Sequence, residues 1–329
     1  MKYLKYIFIV LLILVGFYLI GPKAKYDAID YATPELDIPL TSLDSIIAAW
    51  EAKVSDLKPD NEARIVWADS THTKTKFVLL YLHGFSASQE EGDPIHIDFA
   101  KKYGMNLYLP RLEDHGRYDE NTFKNLTPDN YFESAQHALK IAELLGDSII
   151  LMSCSTGSTL AILLEGTSPK IHSHIMYSPN IDIADPSSKL VVKPWGKDIL
   201  KLVMGGEYNR IEYTPEGQKY WNTDYHVNGI IVTKYLLENY MTEENFKKVK
   251  TPLFLGYYYK NDKEQDNVVS VPRMKEFFNA VSTPTNQKEL VAFPKAGRHV
   301  IASHVMSGDL DGVKTATYKF WDRVVMKGF

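Results

Sequence analysis

The chain has 329 residues, 45% of them hydrophobic, and a formal net charge of -4. This is enough for one large α/β domain with an insertion or for two smaller domains, and it lacks the basic field that nucleic-acid binding requires. A single cysteine, Cys154, excludes an internal disulfide and a cysteine-rich metal site. None of the ten histidines forms an H-x-x-x-H pair, and His172 and His174 merely alternate along an expected strand, so neither a metal nor a cofactor is anticipated.

Lys2 and Lys5 precede an uncharged apolar run from Tyr6 to Ile20 that stops at Gly21-Pro22-Lys23. As a helix the run rises about 22 Å, short of the ~30 Å hydrocarbon core unless Tyr3, Leu4 and a snorkelling Lys5 are added. Bulky Leu19 and Pro22 flank the best small residue for cleavage, Gly21. Residues 1–22 are therefore expected to be a signal anchor. As a transmembrane helix it would tether the chain to a membrane, with the remainder outside the cytoplasm; a cleaved signal peptide and secretion form the alternative. Residues 23–61 read as a loop-rich spacer and packing segment with one amphipathic stretch, 43–57.

From residue 62 onward the pattern alternates between strands and helices. Strands are expected at 64–68, 76–82, 105–109, 148–152, 174–177, 252–259 and 288–293. Helices are expected at 98–103, 131–145, 158–165 and 271–281. The run Phe77 to Leu82 is apolar throughout, as a strand buried on both faces should be. Such alternation predicts a mostly parallel sheet with helices on both faces, and sites on such sheets lie at the carboxyl ends of strands.

Ser153-Cys154-Ser155-Thr156-Gly157 occupies such a position, between an apolar strand and a helix. It fits a nucleophile elbow, G-x-S-x-G, with Ser153 in place of the first glycine and Ser155 as the nucleophile. His83-Gly84-Phe85 follows the buried strand; its turn would present the Phe85 N–H, with that of Thr156, to a developing oxyanion, while His83 braces the loop. For the acid there are two candidates, Asp266, which precedes Val268-Val269 and a helix, and Asp262 as the alternative. His299, on a glycine-bearing turn past the last strand, completes the order Ser, Asp, His as the base.

With these residues together, the stretch from about 62 to 326 resembles the α/β-hydrolase superfamily, within it the serine esterases and the lysophospholipase or monoacylglycerol-lipase-like hydrolases. Leu112-Glu113-Asp114-His115-Gly116 adds to the likeness, since a His-Gly pair at this place commonly shapes the family's pocket. The resemblance implies hydrolysis of a carboxylic ester through an acyl-enzyme on Ser155. The substrate would be an acyl glycerol, a lysophospholipid or a small acyl ester.

About seventy residues separate the strands at 174–177 and 252–259, and this insertion, about 180–250, reads as an aromatic lid. Substrate contacts are expected from His83, Gly84, His115, Trp195 and Trp221, although any single lid aromatic more often packs the lid onto the sheet. Two alternatives stand beside the esterase. A serine aminopeptidase or amidase would need an acid such as Glu207 or Glu212 to hold a substrate amine; the other alternative is a non-catalytic, membrane-tethered binding protein with a decayed site.

Overall fold

The computed structural model describes residues 2–326. Its first helix, α1 (Lys2–Leu19), is apolar on all sides from Tyr6 onward, and the large apolar side chains from Tyr3 to Ile20 are between 39% and 85% exposed. Among the described residues no helix is long and apolar enough to cross a membrane, so the expected transmembrane span is not met. Its 18 residues rise about 27 Å, below the ~30 Å core, and they include Lys2 and Lys5. The far end of α1 is seated on the protein: the Phe17 ring stacks on Trp195 at 5.0 Å, and Trp195 Nε1 donates to the Phe17 carbonyl at 3.3 Å.

The segment 23–61 lies along the body. Ile29 is buried with its N–H donating to Tyr240 Oη at 3.1 Å, and α2 (Leu43–Glu51) buries Leu43 and Ile47. This amphipathic helix is shorter than the stretch 43–57 because the chain turns after Glu51.

Next in chain order are β1 (Arg64–Val66), β2 (Thr75–Leu82), α3 (Ile95–Tyr103), β3 (Asn106–Leu109), α4 (Pro128–Leu145), β4 (Gly146–Cys154), α5 (Thr156–Leu164) and β5 (Ile171–Tyr177). The insertion carries α6 (Gly196–Met204), β6 (Tyr208–Arg210), α7 (Pro215–Tyr220), β7 (Asp224–His226), α8 (Asn228–Tyr240) and α9 (Glu243–Phe246). The sheet resumes at β8 (Leu253–Tyr257), followed by the hairpin β9 (Tyr259–Asn261) and β10 (Glu264–Gln265), then α10 (Val271–Ala280), β11 (Lys288–Ala292) and α11 (Leu310–Phe320).

Seven strands form one sheet in the order β1-β3-β2-β4-β5-β8-β11; β1 runs antiparallel to β3, and the other neighbours are parallel. Alternating side chains feed two cores. Val78, Leu80, Ile149 and Leu151 face the one that α4 and α5 cover, whereas Leu79, Tyr81, Ile150 and Met152 face the one that α3 and α11 cover. Two-sided burial is why β2 and β4 read as unbroken apolar runs. The expected strand 252–259 ends at Tyr257, its last residue paired with β11; Tyr259 begins the hairpin instead.

The insertion is partly scaffold. Val232, Leu236 and Leu237 of α8 join the main core, and the fully buried Lys234 Nζ pairs with Asp182 at 2.5 Å and Glu238 at 2.8 Å. At the junction of β4 and α5, a Cβ on Gly157 would stand 2.1 Å from the Leu82 carbonyl oxygen and 2.6 Å from that of His83. Backbone cannot yield cheaply, so Gly157→Ala is expected to cost about 3 kcal/mol or more of stability in a denaturant melt.

Candidate active site

β4 delivers Ser155 at the carboxyl end of the middle of the sheet, with φ 51° and ψ -124°, a backbone conformation that L-residues avoid. Three hydrogen bonds pin it there. The Ser155 N–H donates to the Tyr177 carbonyl at 3.1 Å, and the Ser155 carbonyl accepts from the N–H groups of Ser158 and Asn180, both at 3.0 Å. Ser153 has a different place: it is fully buried and its hydroxyl shares a 2.9 Å hydrogen bond with that of Ser158. The small residue two before Ser155 thus lines the interior of the elbow.

The loop after β10 brings Asp266 to His299, whose Nδ1 lies 2.6 Å from Asp266 Oδ2. The other carboxylate oxygen accepts from the N–H groups of Val268 and Val269 at 2.9 and 3.0 Å, so the two apolar residues that follow Asp266 fix its orientation. Asp262 is on the exposed tip of the β9–β10 hairpin, accepting from Tyr259 Oη at 2.8 Å. His299 is steadied from behind, since Ser178 Oγ donates to its carbonyl at 2.7 Å. Burial opposes charge on both members of the pair. For each, several opposing contributions together outweigh it: Asp266 is held below the usual carboxylate range by His299 and the two N–H groups, and His299 is raised by Asp266 and, further off, by Glu91.

Ser155 and His299 open onto one cavity of about 600 Å³, lined largely by apolar side chains such as Phe85, Ile183, Ile211, Trp221, Val268 and Val300. Their side chains share no direct hydrogen bond, a looseness common before substrate binds. Phe85 and Thr156 also border the cavity, and neither backbone N–H has an intramolecular acceptor among the described residues. Thr156 begins α5, so the positive end of a nine-residue helix is at the same place.

Of the residues expected to contact substrate, Trp221 lines the cavity and the others do not. His83 is fully buried. Its Nδ1 lies 3.0 Å from the Gly84 carbonyl and its Nε2 accepts from the Leu112 N–H at 3.2 Å, so it braces the turn as a neutral imidazole, which burial drives down to about 4. Gly84 is behind the cavity wall, because a Cβ there would meet Glu91 Oε1 at 2.7 Å and Ser155 Cβ at 2.9 Å. His115 is buried behind Phe85, between Phe123 and Tyr131. Trp195 faces the end of α1 instead, since its ring covers Gly21. Two residues apart in a regular strand, His172 and His174 would share a face, but the register shift between Ile149 and Ile150 leaves His172 as an extra residue in a bulge and separates them: His174 Nε2 pairs with Glu165 at 2.8 Å, and His172 packs edge-on to Phe77.

Sequence reasoning missed Glu91, Asn180 and Ser178. Glu91, 2% exposed, borders the cavity and accepts the Gly84 N–H at 2.6 Å; burial lifts its carboxyl to about 7. Asn180 is buried beside the elbow, its Nδ2 donating to Thr156 Oγ1 at 3.2 Å. Nothing in the sequence separates Glu91 from Glu90, or these two loop residues from their neighbours.

No protein-family model and no curated protein matches the sequence. Solved structures do match in shape. A structure from the work on LipS and LipT, two metagenome-derived lipolytic enzymes, superposes with a TM-score of 0.63 at 17% identity, over 80% of this chain and 98% of that one. The monoglyceride lipase of Saccharomyces cerevisiae, in a soluble variant with a substrate analogue, gives 0.59 at 12% identity, over 82% and 97%. The monoacylglycerol lipase of Paleococcus ferrophilus gives 0.57 at 12% identity, over 78% and 96%. Sheet order, the turn at Ser155 and these superpositions agree: the chain has the α/β-hydrolase fold.

Proposed function

We propose that the chain is a serine esterase, and the observation that carries this reading is the convergence of Ser155, the Asp266–His299 pair and two unengaged N–H groups on one apolar cavity. His299 Nε2 takes the Ser155 proton as Oγ attacks the ester carbonyl, with Asp266 holding Nδ1–H and stabilising the imidazolium. The Phe85 and Thr156 N–H groups donate to the oxyanion. Collapse returns the proton to the leaving alcohol, and water repeats the two steps on the acyl-enzyme.

The cavity's apolar lining suits the acyl part of an acyl glycerol, a lysophospholipid or a small acyl ester. α1 supports a place for the chain at a membrane, because a helix apolar all round finds its cover in protein or lipid, and protein covers only its last turn. The reading sets the body outside the cytoplasm. Amide cleavage at a free N-terminus is less well supported. Glu207 and Glu212 are exposed and absent from the cavity wall, and the acid that is there, Glu91, is occupied by the Gly84 N–H.

Ser155→Ala is expected to abolish turnover of short p-nitrophenyl esters and labelling by a fluorophosphonate while the protein stays folded, whereas Ser153→Ala keeps both. Labelling that survives Ser155→Ala overturns the assignment. The base works only when neutral, and His299 is raised above the ordinary histidine value, so kcat/KM should climb as pH rises through that raised value. Asp266→Asn removes the largest of the contributions that raise His299 against burial, and the acceptor that fixes the tautomer. Its kcat should fall about 10⁴-fold, and the His299 titration followed by NMR should move to lower pH.

A further inference from the structure

Glu91 is a carboxylate in an unusual place. It is almost wholly buried, borders the cavity, and among the described residues no cationic side chain is hydrogen-bonded to it. Its Oε2 accepts the Gly84 N–H at 2.6 Å and lies 3.5 Å from Tyr81 Oη. The Gly84 carbonyl is held as well, by His83 Nδ1 at 3.0 Å and the Ala87 N–H at 3.3 Å. These contacts fix the peptide planes on both sides of Gly84. Because a trans peptide points its N–H opposite to its C=O, locking the Gly84 carbonyl fixes the direction of the Phe85 N–H, one of the two unengaged donors. Glu91 secures the preceding plane, from which the turn starts. The same carboxylate is next to the reacting groups, since Glu91 Oε1 and Ser155 Cβ both lie within 3 Å of the point a Gly84 Cβ would occupy.

We propose that Glu91 is a positioning residue for acyl transfer, its carboxylate locking the Gly84 turn that aims the Phe85 N–H and placing a second negative charge, after Asp266, in favour of protonated His299. The inference rests on the serine-hydrolase reading of the same cavity. The titratable groups that share the field of Glu91 are Tyr81 of β2, Tyr131 of α4, Cys154 of β4, Tyr213 of the insertion and His299. Tyr81, Tyr131, Cys154 and Tyr213 are all pushed up, chiefly by burial, and so stay neutral near pH 7. His299 is therefore the group in this set whose charge is coupled to that of Glu91 around neutrality, where the Glu91 carboxyl, lifted by burial to about 7 and drawn back by His299, itself changes charge.

The test compares Glu91→Gln and Glu91→Ala in the full chain, with kcat and KM for a soluble p-nitrophenyl ester across pH and with the His299 titration followed by NMR. Glu91→Ala frees the turn and is expected to lower kcat about 10²-fold with KM within a factor of three, because the oxyanion exists only in the transition state. Glu91→Gln keeps an oxygen for the Gly84 N–H and should recover most of kcat at its optimum. Its acid limb and its His299 titration should both move to lower pH, since the imidazolium has lost a neighbouring negative charge. Wild-type kcat in Glu91→Ala, or an unmoved His299 titration in folded Glu91→Gln, overturns the proposal. The NMR arm needs no turnover, so a wild-type protein without esterase activity would defeat the hydrolase reading and still leave Glu91 to be decided by that arm.

Discussion

Gly157 presses against the carbonyl oxygens of Leu82 and His83, with no room for a side chain between them. Through this contact α5 begins directly behind the end of β2, β4 turns within a single residue, and Ser155 takes up a left-handed backbone. Such a conformation costs on the order of 1–3 kcal/mol. Three hydrogen bonds on Ser155, at about 1 kcal/mol net each, are enough to offset it. The contact also sets the distance between the two unengaged N–H groups, because Phe85 follows the end of β2 and Thr156 begins α5. Fold and site geometry are thus decided at the same point of the sheet.

Around that point the charges are ordered by burial and by partner. Asp266 is deep yet ionised because a histidine and two backbone N–H groups favour its charged form. Among the described residues His83 and His115, equally deep, have no carboxylate paired with them and are neutral; His83 braces the Gly84 turn and His115 packs against it. His299 differs from these two imidazoles in facing the cavity and in its company, and the comparison shows how one residue type is given a structural role in one loop and a titrating role in another.

The sheet was legible because β2 and β4, buried on both faces, can only be written as apolar runs, and the elbow because its turn needs small residues at fixed places. Asp266 could be favoured over Asp262 by the Val268-Val269 pair, whose N–H groups turn out to orient the carboxylate. Other features are tertiary and left no local mark. Glu90 and Glu91 are adjacent and chemically identical, and only the short helical turn 89–92 directs Glu91 to Gly84. Trp195 and Trp221 belong to the same aromatic insertion, yet one covers the end of α1 and the other lines the cavity. A span of about 22 Å for the apolar run left membrane crossing dependent on flanking residues, and in the folded chain its far end is occupied in capping the insertion.

That cap has a practical side. The Trp195 ring stacks on Phe17, covers Gly21, and its backbone N–H reaches the Pro22 carbonyl at 2.8 Å. α1 and the insertion therefore meet in a joint rather than at a loose linker. Excising residues 1–22 to remove the apolar helix would lay bare the indole face and add it to the already exposed Ile199, Leu202, Val203 and Met204 of α6. A boundary placed just before Phe17 discards most of the sticky surface and leaves the joint closed.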